Sequence, residues 1–335
     1  MNNWTKIHQE IVKAESILLT THENPDGDGI GSIVALAYHL TNQNKNFRII
    51  LTSELPDAFK FLDPNKKFEV YDEELHTDWV KNVDLSILLD IGNYTRVGKM
   101  WEKIKQNGTV IVNIDHHPIY KEQPYNINEN DVNASATGEL IYKYLNEVDP
   151  ASLSEQTYAA IYVAIMTDTG SFSYKNTNIL CHEIAANAIE AGVDTAKVHQ
   201  NVYGSSSKAR IKLLAAIADN LQYEYDGKLV WFKITQAMMK KAQASNDDVD
   251  GFTDFARAIK GVEVSLMIFE KSDNTCRISF RSKGRFAINK IAQFFDGGGH
   301  AFAAGAVVSG KIADVVPKVV SKTIEILSAQ DKDLE

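Results

Sequence analysis

Residues 17–40 read ILLTTHENPDGDGIGSIVALAYHL, and this stretch decides the fold class of the chain. Its first five residues are apolar or threonine, which is typical of a strand that is covered on both faces. A loop with Pro25 and two glycines follows, and the residues from Ile30 to Leu40 carry apolar side chains at helical spacing. A buried strand followed closely by a helix is the first half of a βαβ unit, so the stretch predicts a parallel sheet with covering helices.

The same alternation continues along the first half of the chain. Further strands are predicted at Phe47–Leu51, Leu85–Leu89 and Val110–Ile114, with helical stretches between and after them. We therefore predict the α/β class, with an N-terminal, mostly parallel, doubly wound sheet. Beyond about Gly192 the regular alternation stops, which favours a smaller C-terminal α+β domain.

The length of the chain agrees with two domains, because 335 residues exceed the size at which one hydrophobic core usually keeps growing. We predict a first domain over residues 1–195, a helical linker over residues 196–220 and a second domain over residues 221–335.

Composition narrows the class of function. A net charge of −9 argues against a long nucleic-acid groove but permits a short nucleotide held by a few local cations. No apolar run approaches the roughly 20 residues that a membrane span needs, and the N-terminus lacks the pattern of a secretory signal. Cys181 and Cys276 lack metal-type spacing, as expected of buried thiols in a reducing compartment. We expect a cytoplasmic protein.

Acidic and imidazole side chains follow three of the predicted strands. Asp26 and Asp28 come after the first strand, Asp90 ends another, and Asp115 and His116 end a third. A single aspartate in such a place usually caps a helix. However, ligands of open parallel sheets bind beyond the carboxyl ends of the strands, so these groups are expected to meet. Because a cluster of uncompensated buried carboxylates costs several kcal/mol per charge, we expect a cation among them.

The donor atoms indicate which cations fit. The set comprises the carboxylates of Asp26, Asp28, Asp90 and Asp168 and the imidazoles of His22 and His116. Four carboxylates formally balance two divalent ions. Nitrogen and oxygen donors without thiolate favour Mn²⁺, Fe²⁺ or Co²⁺ over a structural zinc, and Mg²⁺ alone rarely recruits histidine.

The segments that carry these residues resemble a known family. HENPDGDG from His22, the Asp90 segment, NIDHH ending at His117 and MTDTG from Met166 resemble, in order, the four motifs of the DHH phosphoesterase family. GGGHAFAAGA, from Gly297 to Ala306, resembles the signature of the DHH-associated C-terminal domain. Within the family, the two-domain form is most similar to bacterial enzymes that degrade short oligoribonucleotides and dephosphorylate 3′-phosphoadenosine 5′-phosphate (pAp).

The resemblance implies a role for each site residue. One metal ion would be held by His22 and Asp26, and the other by Asp28, His116 and Asp168. Asp90 would bridge the two ions, Asp115 would orient an imidazole, and His117 would face the scissile phosphate. We count Asp90, Asp115 and His117 as the catalytic group.

The resemblance also implies the reaction. Two divalent ions, first of all Mn²⁺ with Mg²⁺, Co²⁺ or Fe²⁺ as alternatives, would activate a water for attack on phosphorus. Short single-stranded RNA or DNA would yield 5′-mononucleotides, and pAp would yield AMP, in a protein that forms a homodimer. Arg281, Gly298, Gly299 and His300 would bind the substrate, with the glycines leading into a predicted helical stretch at Ala301–Ala304 whose N-terminus favours an anion.

Three other functions are also compatible with these motifs. The same motifs suit a phosphodiesterase of linear or cyclic dinucleotides such as pApA and cyclic di-AMP. A manganese inorganic pyrophosphatase shares similar catalytic motifs, although the GGGH segment argues against it. The third alternative is a nucleotide-binding module without catalytic activity. Ser135 and Thr137, in the segment ASATGE, are predicted to cap the helix that follows them, with contact to a phosphate as the alternative.

Overall fold

Six parallel strands form the N-terminal sheet in the computed structural model, which describes residues 3–106, 108–119, 123–204, 206–249 and 251–334. The strands are β1 Ile17–Thr20, β2 Phe47–Leu51, β3 Phe68–Val70, β4 Leu85–Leu89, β5 Val110–Asp115 and β6 Ile127–Asn130. Their spatial order is β3-β2-β1-β4-β5-β6, so the winding reverses between β1 and β4. Such a reversal opens a crevice at the carboxyl ends of these two strands.

Helices cover both faces of this sheet. They are α1 Asn3–Lys13, α2 Gly27–Asn42, α3 Glu73–Lys81, α4 Trp101–Ile104, α5 Thr137–Val148, α6 Glu155–Asp168, α7 Ile179–Glu190 and α8 Thr195–Tyr203. Short 3₁₀ helices lie at Asp57–Leu62, Tyr94–Met100 and Pro150–Ser152.

Successive residues of one strand enter two different cores. Leu19 and Ile87 pack with α1, α2, α5 and α6, whereas Leu18 and Leu88 pack with α3 and α4 on the other face. Each fully buried aliphatic side chain contributes roughly 1.5–3 kcal/mol. This double coverage explains why the strand sequences are continuously apolar rather than alternating.

Helices α2 and α6 pack closely against each other, and Gly31 makes the approach possible. A Cβ at Gly31 would lie 2.4 Å from the carbonyl oxygen of Ala160. The pair matters for the site because α2 begins beside Asp26 and α6 ends at Asp168.

The C-terminal half has a mixed sheet. Its strands are β7 Gln222–Glu224, β8 Leu229–Ile234, β9 Val264–Glu270, β10 Thr275–Ser282, β11 Gly298–His300 and β12 Ala303–Ser309. Their order is β11-β12-β10-β9-β8-β7, with β8 and β9 parallel and the other pairs antiparallel. Helices α12 Asn289–Phe294 and α13 Ile312–Leu334 pack on one face, while α9 Lys208–Ala218, α10 Gln236–Ala242 and α11 Phe252–Arg257 pack on the other. A 3₁₀ helix lies at Asn246–Val249.

The predicted fold class is confirmed, with a parallel α/β sheet in the first half and a second, mixed sheet in the second. The chain divides into the units Met1–Ser205 and Ser206–Glu335. Among the described residues, no helix combines the length and the apolar character that crossing a membrane requires.

One local prediction is wrong. Residues Ala301–Ala304 do not form a helix, because the segment from Gly298 to Ser309 folds back on itself as the antiparallel pair β11–β12. Gly297 permits this pairing, since a Cβ there would lie 2.1 Å from the carbonyl oxygen of Gly305. The glycines therefore approach a neighbouring strand, and the expected helix N-terminus for an anion is absent from this described segment.

Candidate metal centre

The loop after β1 holds His22 in a fixed orientation. Its Nδ1 lies 2.8 Å from the carbonyl oxygen of Glu23, to which it donates, so Nε2 carries the free lone pair. This Nε2 lies 3.7 Å from Oδ2 of Asp26 and 3.8 Å from Oδ2 of Asp90. These separations are too long for hydrogen bonds but suit donor atoms that share a cation.

The two aspartates at the start of α2 accept hydrogen bonds from the first turns of two different helices. Asp26 is the N-cap of α2 and accepts hydrogen bonds from its first-turn N–H groups. The buried Asp28 instead accepts from the N–H groups of Thr137 at 2.6 Å and Gly138 at 2.9 Å, at the start of α5. Helix α5 has Ala136 at its N-cap position, without a side-chain cap. The prediction that Ser135 or Thr137 caps this helix is therefore wrong, because Asp28 provides the acceptor from a distant part of the chain.

His116, directly after β5, faces three carboxylates at once. Its Nε2 lies 3.5 Å from Oδ2 of Asp28, 3.6 Å from Oδ1 of Asp90 and 3.6 Å from Oδ2 of Asp168. Its Nδ1 lies 3.3 Å from the carbonyl oxygen of Ala134. Together with His116 itself, four strand or helix ends thus supply donor atoms to one point.

Asp90 contributes to both groups. Its Oδ2 faces His22 and its Oδ1 faces His116, so one carboxylate spans the two sets of donor atoms. The groups His22, Asp26 and Asp90, and Asp28, Asp90 and His116, each offer ligand atoms within 4.8 Å of one another. Asp90 also has a φ of 58°, a left-handed conformation that aspartate tolerates better than most residues.

Asp168, the last residue of α6, is held by Asn176, a residue that the sequence analysis did not select. The Nδ2 group of Asn176 lies 3.1 Å from the backbone oxygen of Asp168, 3.4 Å from its Oδ2 and 2.8 Å from the carbonyl oxygen of Ser135. Asn176 thereby joins the end of α6 to the segment before α5. An asparagine in a polar turn carries no distinctive signal in a single sequence.

Asp115 orients His117. Oδ1 of Asp115 accepts from the backbone N–H of His117 at 2.9 Å and from its Nδ1 at 2.8 Å, while Oδ2 accepts from Gly92. Burial lowers the pKa of His117, but the charges and hydrogen bonds of Asp115 and Asp90 outweigh it and raise this pKa well above its ordinary value. The raised pKa favours the protonated ring, which is suited to contact an anion.

The carboxylates repel one another strongly. Burial first, and then the charges of Asp90, Asp168 and Asp26, raise the pKa of Asp28 well above its ordinary value. Burial, with the charges of Asp90 and Asp26, raises the pKa of Asp168 to about 6 even though His116 opposes the shift. A bound cation would relieve this repulsion, and imidazole and carboxylate donors fit divalent transition metals. The residues therefore fit a pair of such ions.

The predicted substrate residues of the second unit share one region of its sheet. Arg281 on β10 pairs with Ala303 on β12, and Ala303 pairs with His300 on β11. Residues paired directly across antiparallel strands point to the same face, so Arg281 and His300 do so. Gly298 pairs with Gly305 two residues further along, and Gly299 adopts a φ of 128°.

Comparisons with known proteins agree with this arrangement. The DHH family N-terminal domain matches residues 16–166 and the DHHA1 domain matches residues 226–329. The bifunctional oligoribonuclease and PAP phosphatase of Mycoplasma genitalium is 25% identical, covering 96% of this chain and 98% of the relative. The enzyme of the same name from Bacillus subtilis is 27% identical, covering 91% and 93%.

A solved structure extends the similarity to the whole fold. The crystal structure of an exopolyphosphatase-related protein from Bacteroides fragilis has a TM-score of 0.89 and 27% identity, covering 99% of this chain and 98% of that one. The chain thus carries the DHH family N-terminal domain and the DHHA1 domain, and with its full-length relatives and two groups of potential metal ligands it is a metal-dependent phosphoester hydrolase.

Proposed function

We propose that this chain hydrolyses short single-stranded oligoribonucleotides to 5′-mononucleotides and converts pAp to AMP. The observation that carries the proposal is the bridging position of Asp90, because one carboxylate that faces two sets of donor atoms suits two closely spaced cations. The names of the two full-length relatives from Mycoplasma genitalium and Bacillus subtilis support the choice of substrate.

We propose that His22, Asp26 and Asp90 hold one ion and that Asp28, Asp90, His116 and Asp168 hold the other. Two divalent cations supply Lewis acidity and lower the pKa of water, which is the chemistry that phosphoester hydrolysis requires. Mn²⁺ is the ion we propose, because the donors are imidazole and carboxylate without thiolate. Fe²⁺, Co²⁺ and Mg²⁺ are the alternatives for the metal arms of the assay.

The roles of the nearby residues follow from their contacts. Asp115 fixes the ring of His117 through Nδ1, and the protonated form of the ring, which the raised pKa favours, would stabilise negative charge on the non-bridging phosphate oxygens. His117 is therefore proposed as a phosphate contact. The aspartates Asp90 and Asp115 complete the catalytic group as bridging ligand and positioning residue.

We further propose that Arg281, Gly298, Gly299 and His300 bind a phosphate or base of the substrate. Arg281 and His300 point to one face of the sheet, and a guanidinium can grip phosphate bidentately. Arg281→Ala should raise KM about 10-fold or more with a smaller change in kcat, because a charge-assisted hydrogen bond contributes roughly 1.5–3 kcal/mol. Arg277→Ala, on the same strand, is the matched control and should leave KM unchanged.

Short DNA oligonucleotides as further substrates, a homodimer and a cytoplasmic location are also part of the proposal. Light scattering of the full chain measures the oligomeric state, and an oligodeoxyribonucleotide belongs in the substrate panel.

The test is turnover of pAp, RNA dinucleotides to pentanucleotides, pApA, cyclic di-AMP and pyrophosphate, each with Mn²⁺, with Mg²⁺ and with chelator. We expect the highest kcat/KM for pAp and short RNA with Mn²⁺, and none with chelator. Preference for cyclic di-AMP or pApA would replace the proposal with a dinucleotide phosphodiesterase, and preference for pyrophosphate with a pyrophosphatase. Mn²⁺ binding without cleavage of any substrate would indicate a binding module.

A further inference from the structure

Thr137, the first residue of α5, contacts two of the carboxylates in the metal centre. It is fully buried. Its backbone N–H donates to Oδ2 of Asp28 at 2.6 Å, and its hydroxyl donates to Oδ1 of Asp90 at 3.1 Å. One residue thus holds carboxylate oxygens that come from the ends of two different strands.

The two oxygens held by Thr137 belong to the same half of the centre. Oδ2 of Asp28 and Oδ1 of Asp90 are the atoms that face Nε2 of His116, at 3.5 and 3.6 Å. The atoms on the other side, Oδ2 of Asp26 and Oδ2 of Asp90, face His22 instead. In the described part of the chain, the hydrogen bonds of Thr137 go to Oδ2 of Asp28 and Oδ1 of Asp90 and not to that second set. Thr137 therefore supports the carboxylate oxygens that face His116.

Oδ1 of Asp90 has a second polar neighbour. Nδ1 of His117 lies 3.4 Å away, but this nitrogen carries one proton and donates it to Asp115 at 2.8 Å. The hydroxyl of Thr137, at 3.1 Å, is therefore the better donor to Oδ1 of Asp90. The hydroxyl thus keeps the bridging oxygen where a cation beside His116 could use it.

We propose that Thr137 is a positioning residue whose hydroxyl selectively sets the affinity of the cation site beside His116, leaving the site beside His22 unaffected. The inference deepens the proposed two-cation centre and rests on it. Groups that orient metal ligands typically change metal affinity by about 10- to 100-fold when removed.

The experiment is a calorimetric titration of the metal-free full chain with Mn²⁺. Thr137→Val removes the hydroxyl but keeps the backbone N–H to Asp28 and the side-chain volume, while Thr137→Ser restores the hydroxyl. Thr157→Val is the control, because Thr157 is equally buried and its hydroxyl donates only to the carbonyl oxygen of Ser152 and contacts Ser154. Should Thr137→Val fail to fold, Thr137→Ala tests the same hydroxyl.

We expect the wild-type chain to bind two Mn²⁺ ions, and Thr137→Val to weaken one of the two by about 10- to 100-fold while the other changes less than about 2-fold. The weakened site should be the one that His116→Ala removes, and Thr137→Ser and Thr157→Val should bind as the wild type does. Unchanged binding in Thr137→Val, equal weakening of both sites, or failure of serine to restore binding would each overturn the inference alone. A wild-type chain that binds fewer than two ions would overturn the two-cation centre as well.

Discussion

At the scale of single residues, the backbone of Asp90 shows how the site is built. The residue follows β4 with a φ of 58°, and its N–H bonds the carbonyl oxygen of Ile114 at 3.1 Å. The left-handed turn ends the strand and directs the carboxylate across the crevice between β1 and β4, where its two oxygens diverge toward His22 and His116.

Asp90→Asn tests whether the carboxylate of Asp90 bridges two cations. Asparagine tolerates the left-handed conformation and keeps the shape of the side chain but removes the bridging charge. We expect kcat on pAp to fall by about 100-fold or more and the chain to bind fewer than two Mn²⁺ ions. Asp72→Asn is the matched control, because Asp72 caps α3 and asparagine caps equally well. Two bound ions and normal turnover in Asp90→Asn would show that Asp90 does not bridge.

Sequence reasoning predicted the acids and imidazoles at strand ends because the chain direction in a parallel sheet brings such ends to one edge. It did not predict the supporting roles of Thr137 and Asn176. The packing of α2 against α5 brings Asp28 to Thr137, which lies 109 positions away in the chain. Asn176 lies only eight positions after Asp168, but its second partner, Ser135, is 41 positions away. Contacts over such separations leave no local pattern in a single sequence.

At the scale of helices and strands, prediction succeeded where burial dominates and failed at the edges. Strands β1, β4 and β5 are apolar because helices cover both of their faces. Edge strands β3 and β6 are short and only partly buried, so they lack such a signal and were not predicted. Residues Ala301–Ala304 favour a helix by local propensity, but pairing between β11 and β12 overrides that preference.

The approach of α2 and α6 gives a prediction about these helices. Gly31→Ala would place a methyl group 2.4 Å from the carbonyl oxygen of Ala160, so α6 must move and carry Asp168 with it. We expect a loss of about 1–3 kcal/mol in the free energy of unfolding, together with weaker Mn²⁺ binding. Urea unfolding and calorimetric titration measure the two effects.

Gly108→Ala is the control that separates the loss of stability from the loss of Mn²⁺ affinity. Its φ is 72°, and among the described residues no atom lies within 4 Å of the position that a Cβ would take. The variant should therefore lose about 1 kcal/mol through backbone strain without a change in Mn²⁺ affinity. If Gly31→Ala bound Mn²⁺ as tightly as Gly108→Ala does, the position of α6 would not control the site.

At the scale of the whole molecule, a charged cluster holds the end of the last helix of the second unit. This cluster, the Asp331 anchor, comprises Asp331, Lys228, Tyr225 and Arg285. Asp331 of α13 lies 2.8 Å from Nζ of Lys228, 2.6 Å from the hydroxyl of Tyr225 and 2.7 Å from Nη2 of Arg285. The hydrogen bond with Lys228, followed by that with Tyr225, lowers the pKa of Asp331 well below its ordinary value of 3.8. The anchor joins α13 to the start of β8 and to the segment before α12.

The lowered pKa gives this anchor a defined pH dependence. Because the folded state binds the proton less readily than the unfolded state, the stabilisation is complete at neutral pH and is lost as the pH falls below about 4. Asp331→Asn should therefore lower Tm at pH 7, and the difference from the wild type should shrink in acid. Glu325→Gln, which breaks an exposed pair with Lys322 on the same helix, should change Tm little. A difference from the wild type that stays as large at about pH 2 as at pH 7 would contradict the electrostatic origin.

We propose that side chains from three strand ends and one helix end hold a pair of cations. Anomalous diffraction at the manganese edge, from crystals of the full chain grown with Mn²⁺, tests it most directly. We expect two peaks in each chain, one among His22, Asp26 and Asp90 and one among Asp28, Asp90, His116 and Asp168, with Asp90 contacting both. A single peak, or peaks that lie away from these residues, would contradict the account.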